Sequence, residues 1–505
     1  MSNARSVHRS AGSWAYPVGM GLIFLAAFGA RLVPVLRGGG LYAIGNYDDG
    51  VYYAAAMGLA HGLMPYRDFL LLHPPGVVLA LAPFAGLAQV LGEPDAMAVA
   101  RLCWMALGGV NAVLCGLVLR PLGRLAALVT GLMYAVIFGA IYVEQTVSLE
   151  PPATTVTLAA LVITRALGDS VGTSTRHYVS AGLLLGLSPL MKIWGVITVL
   201  VVVVWLAYRR GVRNGMTVLL SAMGSCAVLC LPFFVSAPAS MWQMVVVDQV
   251  GRRRGEYEAG NRIDGILGLS LWTGEPRLHL LATGAAAALV VAALAVCIVR
   301  PQLRLLAALL ISHGFVLAVS PMWFLHYAGF TAAPLVLVLG GALATLLQWT
   351  GKVKSRLPRA ALAAGTAVAV LISALPLTQL RLGRSFPGRS VAGVLAGVDG
   401  CVVTDVPMTL IQVDRLRRNL ELGCRYEVDL GGASYHLDAG PDMELPRAQN
   451  DVWQAYALEY LRTGQASVIA RFYAGFGFSH ETAQVIENWP EIGRVGRYVI
   501  RRPQP

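Results

Sequence analysis

Two adjacent carboxylates, Asp48 and Asp49, stand in the segment Asn46-Tyr47-Asp48-Asp49-Gly50, just beyond the first long apolar run of the chain. A carboxylate facing a cavity can act as a general base on a hydroxyl group. A pair of carboxylates can hold a divalent cation through oxygen ligands. Glu144 and Glu150 bracket another short polar stretch between apolar runs. Carboxylates at a membrane boundary are costly to desolvate, so they are usually kept for function. Cations gather on the same side. Lys192 lies between two closely spaced apolar runs, and the loop 237–278 holds Arg252-Arg253-Arg254, Arg262 and Arg277. A guanidinium suits phosphate because its planar fork donates two hydrogen bonds at once. His326, in Trp323-Phe324-Leu325-His326-Tyr327, adds a group for a phosphate, a sugar or a metal ion. Plainer roles compete: an arginine run can touch lipid headgroups, a lysine can snorkel to them, and a histidine beside aromatics can anchor an interface. His279 and His313 have no such company, and no role is expected of them.

The elements that must position these residues are membrane helices. Of 505 residues, 56% are hydrophobic and 13% charged, against about 25% charged in a soluble domain. Apolar runs of about 18 residues or more, each long enough for a bilayer core of about 30 Å, recur from Met20 to Leu377. Segments such as Val196–Leu206 and Ala282–Val299 lack the polar face that a soluble helix needs. The spacing predicts spans at about 15–36, 97–119, 124–143, 150–168, 178–191, 193–208, 215–236, 279–299, 303–319, 327–348 and 359–377, about eleven in all. The apolar stretches at about 50–63 and 74–91 read as two membrane-surface helices in a first outer loop, 37–96. Counting the second as a span would put Arg120 and Arg124, and every later basic loop, outside. The N-terminus then lies in the cytoplasm as an uncleaved start, since no small-residue cleavage site follows a short apolar stretch.

The net charge is +12, yet only three of the 39 basic residues are lysines, and most sit in short loops between apolar runs. That is a topology pattern, and with no basic-aromatic module it argues against a nucleic-acid partner. The membrane part is expected over 1–377, with a second outer loop at 237–278. The tail 378–505 is more polar, and an odd number of spans puts it outside the cytoplasm. Its strand-like Cys401-Val402-Val403-Thr404 and helix-like Met408–Arg418 predict a small α/β domain. Five of the seven cysteines lie in apolar segments, and the other two, Cys401 and Cys424, are predicted to pair in a disulfide-permitting compartment. Two buried free thiols are the alternative.

The arrangement resembles the GT-C superfamily of membrane glycosyltransferases, most closely its bacterial lipid-phosphosugar-dependent branch, related to protein mannosyltransferases and aminoarabinose transferases. Tyr47-Asp48-Asp49-Gly50-Val51-Tyr52-Tyr53 carries most of the likeness. The blocks Gly62–Phe69, His73-Pro74-Pro75-Gly76, Val147–Pro151, Leu190–Gly195 and Phe324–Tyr327 carry the rest. The resemblance implies an all-α polytopic membrane fold with surface helices in the first outer loop, plus the extracytoplasmic α/β tail. It implies inverting transfer of a sugar, mannose or arabinofuranose, from a polyprenyl-phosphate donor to an envelope glycan, lipid or protein acceptor. It makes Asp48 the catalytic base. Asp49 and Glu150 would orient the acceptor and Lys192 would meet the donor phosphate, while Arg254, Arg262, His326 and Tyr327 complete the substrate-binding set. Asp48, Asp49 and His326 are candidate ligands for a divalent ion, Mg or Mn, the one cofactor expected where members use a metal. The second acid of the first block is often Glu in the family and is Asp49 here. A lipid-linked sugar flippase is the competing class. Against it, no internal repeat is visible and the notable charges gather at one face. No GxxxxGK[ST] loop for a nucleotide is present. The expected location is the plasma membrane of a bacterium, among membrane lipids.

Overall fold

Burial of apolar side chains explains the helices, and their breaks explain where function collects. The computed structural model describes residues 4–168, 173–252, 259–270, 275–350, 374–437 and 445–504. The first predicted span is α1 (Ala4–Arg37), and the first outer loop supplies α2 (Tyr47–Ala60) and α3 (Gly76–Leu91). Next come α4 (Glu93–Leu119), α5 (Arg124–Val136), α6 (Phe138–Glu144), α7 (Glu150–Ile163), α8 (Thr175–Leu185), α9 (Leu187–Met191), α10 (Gly195–Arg210) and α11 (Val212–Ser236). The loop 237–278 holds the short α12 (Pro238–Trp242), α13 (Asp248–Val250) and α14 (Ala259–Leu267). Then follow α15 (Pro276–Val299), α16 (Arg304–Val319) and α17 (Ala328–Thr350).

Among the described residues, six helices are long and apolar enough to cross a membrane, or seven if α5 and α6 form one bent span. The expectation of eleven is therefore not met by length and composition. The expected spans at 150–168, 178–191 and 193–208 are helices too short or too broken to qualify, α8 giving way to α9 at Gly186. The expected span at 359–377 and the basic residues Lys352, Lys354, Arg356 and Arg359 fall largely or wholly outside the described residues. The chain is nonetheless a multi-pass membrane protein. The apolar windows of α11 and α15 are only 17% and 11% buried within the protein, a greasy surface that only lipid would cover.

A 59° bend separates α5 from α6 at Ile137, which takes an extended conformation. The last carbonyls of a helix have no partner within it, and in the apolar interior they need one. Arg31 of α1 supplies it: Nη1 donates to the Ala135 carbonyl at 2.7 Å, and Nη2 to that of Tyr134 at 3.4 Å. Glu144 balances the charge, accepting from Arg31 Nε at 2.8 Å, Asn111 Nδ2 at 2.8 Å and the Tyr134 hydroxyl at 2.7 Å. Glu144 is thus a fully buried structural acid, not an outer-loop one.

The tail carries a four-stranded sheet in the order β1-β2-β6-β5, formed by β1 (Val402–Thr404), β2 (Ala466–Val468), β5 (Glu491–Val495) and β6 (Tyr498–Arg501). β1 and β2 are parallel, and the other pairings antiparallel. β3 (Tyr473–Ala474) and β4 (Gly477–Phe478) pair separately. The helix expected over Met408–Arg418 is two, Pro407–Gln412 and Leu416–Glu421, parted by Asp414 at φ 55°. Cys401 and Cys424 are joined, their Cα atoms 5.8 Å apart.

Residues on both sides of the expected boundary at 378 share one hydrophobic core, in which Tyr53, Met57, Leu81 and Met97 pack with Val402, Met408, Ile411 and Ile500. So α2, expected as a helix lying on the membrane, is buried on every side along residues 49–58. Its tight contact with the tail is at Gly50, where an added Cβ would stand 2.4 Å from the Met408 backbone nitrogen. Gly50→Ala is expected to destabilise the protein by about 1–3 kcal/mol, seen as a lower Tm in detergent. An unchanged Tm would mean that α2 and the tail are not firmly seated on each other.

Candidate active site

The N-terminal turn of α2 presents two carboxylates in different directions, because successive residues of a helix point about 100° apart. Asp49 turns inward. Its Oδ2 lies 3.1 Å from Arg101 Nη2 of α4, and both side chains are almost fully buried. Arg101 also donates through Nη1 to the carbonyls of Leu41 at 2.6 Å and Ala43 at 2.9 Å. One guanidinium thereby ties the chain before α2 to its first turn. Asp48, on the next face, opens into a cavity of about 250 Å³ between the first outer loop, the Phe324–Tyr327 turn and the tail.

Asp48 keeps 32% of its side chain exposed, and its Oδ2 lies 3.9 Å from His326 Nε2. Burial pushes its carboxyl above the ordinary aspartate range; His326 opposes that, Asp429 adds to it, and Arg252 and Arg471 oppose it. His73, of the His-Pro-Pro-Gly segment, also lines the cavity. Burial, with Arg252 nearby, holds its imidazole well below the usual histidine value, and so neutral. His73 packs edge-on against Tyr52 at 5.6 Å.

Several expected residues sit elsewhere. Lys192 does not line the cavity of Asp48. Its ammonium is 2.7 Å from Glu150 Oε1 and lies over the rings of Trp194 at 4.1 Å and Tyr327 at 4.2 Å. A buried ammonium needs a counter-charge, and Glu150 supplies it; the two line a second cavity, beside His313 and Phe330. Tyr327 stands between, facing the cavity and stacking on Lys192. Arg262 donates to the carbonyls of Leu317 at 2.8 Å and Ser320 at 2.9 Å, which finishes the end of α16 rather than reaching the cavity. Arg254 lies outside the described residues. As metal ligands, Asp48, Asp49 and His326 do not converge, since Asp49 is committed to Arg101. Among the described residues no three His, Cys, Asp or Glu side chains are grouped to hold an ion. Among the described residues the donor set does not fit a bound metal.

Other residues come to the cavity, one from the arginine run and the rest from the tail. Arg252, of the arginine run, lines it; its guanidinium lies 4.7 Å from the Tyr435 ring, and among the described residues its buried Nε has no hydrogen-bond partner. The tail adds Asp429, Arg447, Arg471 and Phe472. Burial raises the Asp429 carboxyl to about 6, against the pull of the Gly432 N–H. Tyr47 joins the two halves: its hydroxyl accepts the Gly431 N–H at 2.7 Å, and its ring stacks on Phe472. Arg101 had a sequence signal, as a charge within an apolar run. The tail residues had none, because nothing local in their sequence tells of α2.

The Asp49–Arg101 pair is expected to couple strongly. Arg101→Met alone, leaving an unpaired buried carboxylate, costs about 3–5 kcal/mol. Adding Asp49→Leu is expected to recover most of that. A double-mutant cycle on Tm checks it, and additive effects would break the pairing.

No family model matches the chain, and no curated protein matches it in sequence. Solved structures do match. ArnT from Cupriavidus metallidurans in the apo state aligns at TM-score 0.62 with 13% identity, over 98% of this chain and 100% of its own. The same protein bound to undecaprenyl phosphate aligns at 0.55 with 15% identity, over the same shares. The archaeal oligosaccharyltransferase AglB from Archaeoglobus fulgidus, in complex with an inhibitory peptide and a dolichol-phosphate, aligns at 0.59 with 12% identity, over 91% of this chain and 69% of its own. At such identities the likeness shows the fold alone, one shared with ArnT and with AglB.

Proposed function

We propose that this protein is an inverting glycosyltransferase, moving a sugar from a polyprenyl-phosphate donor to an envelope glycan, lipid or protein acceptor. The outer face of a bacterial plasma membrane is the place, with the N-terminus in the cytoplasm and the tail outside. The observation that carries this reading is Asp48, a partly exposed carboxylate raised above the ordinary aspartate range by burial, facing an arginine-lined cavity. The fold adds support, since the solved neighbours were captured with undecaprenyl phosphate and with a dolichol-phosphate.

The chemistry is one displacement. Asp48 takes the proton of the acceptor hydroxyl, and that oxygen attacks the anomeric carbon. The bond from that carbon to the phosphate oxygen breaks, leaving its electron pair on the lipid phosphate. A single displacement inverts the anomeric centre. The phosphate gains a negative charge, and a fixed cation in a site of low dielectric stabilises it. Arg252, with its unsatisfied Nε, takes the role that Lys192 was expected to fill. Mannose and arabinofuranose are the sugars we propose. The flippase alternative gains nothing from Arg31 and Arg101, the charges within apolar segments, because both are locked in buried pairs.

Transfer from a panel of polyprenyl-phosphate sugars tests the reading. Asp48→Asn is expected to lower transfer by about 10²–10⁴-fold, the usual contribution of a general base, with insertion and Tm retained. Undiminished transfer would remove Asp48 from the role. The pH profile is a second check. A base works only when deprotonated, so kcat/KM is expected to fall as pH drops through a midpoint above the ordinary aspartate value of 3.8. A pH-independent rate across that limb would contradict the assignment.

A further inference from the structure

The tail does more than cover the site. We infer that Arg471, carried on a tail loop pinned by Asp405, is a substrate-binding residue directed at an oxyanion beside Asp48. This rests on the transferase reading and names a residue outside the membrane portion as part of its site.

Three observations carry it. First, Arg471 lines the cavity, and among the described residues its guanidinium has no acid partner. It lies 5.2 Å from the centroid of the Tyr47 ring, one residue before Asp48. Second, the loop that carries it is unusually well fixed. Asp405, fully buried just past β1, accepts the backbone N–H groups of Ala470 at 2.7 Å, Arg471 at 2.7 Å and Phe472 at 2.6 Å. Three charge-assisted bonds to successive residues hold a loop as a cap holds a helix end. Asp405 touches no part of the cavity, so it is a positioning residue. Third, the seating of Phe472 leaves no slack. It packs against Trp453 at 5.6 Å and Phe478 at 5.7 Å, and stacks on Tyr47 at 6.1 Å. A cation on so firmly held a backbone, lying over the Tyr47 ring and lining the cavity that Asp48 faces, is placed for an anion that arrives with substrate. Arg252, from the loop 237–278, is a separate cation of the same cavity.

The oxyanion has two possible sources: the phosphate of the lipid donor, or an acidic group on the acceptor. Binding separates them. Purified full-length protein in nanodiscs is titrated with undecaprenyl phosphate, then, when saturated, with inorganic phosphate. If the donor supplies the anion, Arg471→Ala weakens undecaprenyl-phosphate binding at least tenfold, Arg471→Lys restores part of it, and the loaded protein takes no inorganic phosphate. If the acceptor supplies it, lipid binding is unchanged, and inorganic phosphate binds the loaded wild type but not Arg471→Ala. Either result supports the inference. Wild-type and Arg471→Ala proteins that bind both ligands equally overturn it. A wild type that binds no undecaprenyl phosphate and transfers no sugar overturns the transferase reading itself. Asp405→Asn is expected to weaken the same binding step by a smaller factor at unchanged net lipid insertion. Should that variant fail to fold, Arg471→Ala, on the cavity wall, still decides the matter.

Discussion

The buried ion pair between Asp49 and Arg101 is the constraint on which the site depends. Two carboxylates side by side would repel each other in a shared cavity, and one of them would stay protonated. Against the rise that burial gives the Asp49 carboxyl, a guanidinium 3.1 Å away on α4 pulls it down and so opposes that conflict. The same guanidinium gathers the Leu41 and Ala43 carbonyls, so the chain entering α2 is fixed where Asp48 must point outward. A bare buried pair is weak evidence of stability. Its value here is directional, since it decides which of two neighbouring acids faces substrate.

The same economy runs through the membrane part. Arg31, Glu144, Asn111 and Tyr134 form a closed network around the break between α5 and α6. Lys192 and Glu150 close another pair beneath two aromatic rings. Each satisfied pair takes charged groups out of play; among the described residues the acids, histidines and cations that line the cavity are Asp48, Asp429, His73, His326 and three arginines. Chemistry is left to the groups that the fold does not consume.

The tail is built into this arrangement. Glu93 at the start of α4 accepts the N–H groups of Leu416 and Arg417, while its own N–H donates to Asp414 at 2.9 Å. The Tyr426 hydroxyl donates to the Ala54 carbonyl on α2. With a shared apolar core behind these bonds, the helix bearing Asp48 is held from both sides. That rigidity suits a site whose geometry must be set before substrate binds.

The sequence by itself determined the membrane character and the general place of the site. Apolar runs make membrane helices because the transfer of a side chain from water to lipid depends on that side chain and its near neighbours. The Tyr47–Tyr53 block and the Phe324–Tyr327 turn were legible for a similar reason, being short polar interruptions at the ends of such runs. How many helices are long enough to cross was less legible, since the breaks at Ile137 and Gly186 turn on tertiary donors to the nearby carbonyls, Arg31 to that of Ala135 and Ser225 to that of Leu183. Only the tertiary structure decided the partners. That Asp49 meets Arg101, that Lys192 pairs with Glu150, that Arg262 finishes α16, and that Arg471 lies over the Tyr47 ring across more than four hundred residues are all pairings at a distance. Charge balance and hydrogen-bond geometry set them after the chain has packed, and no spacing in the sequence encodes them.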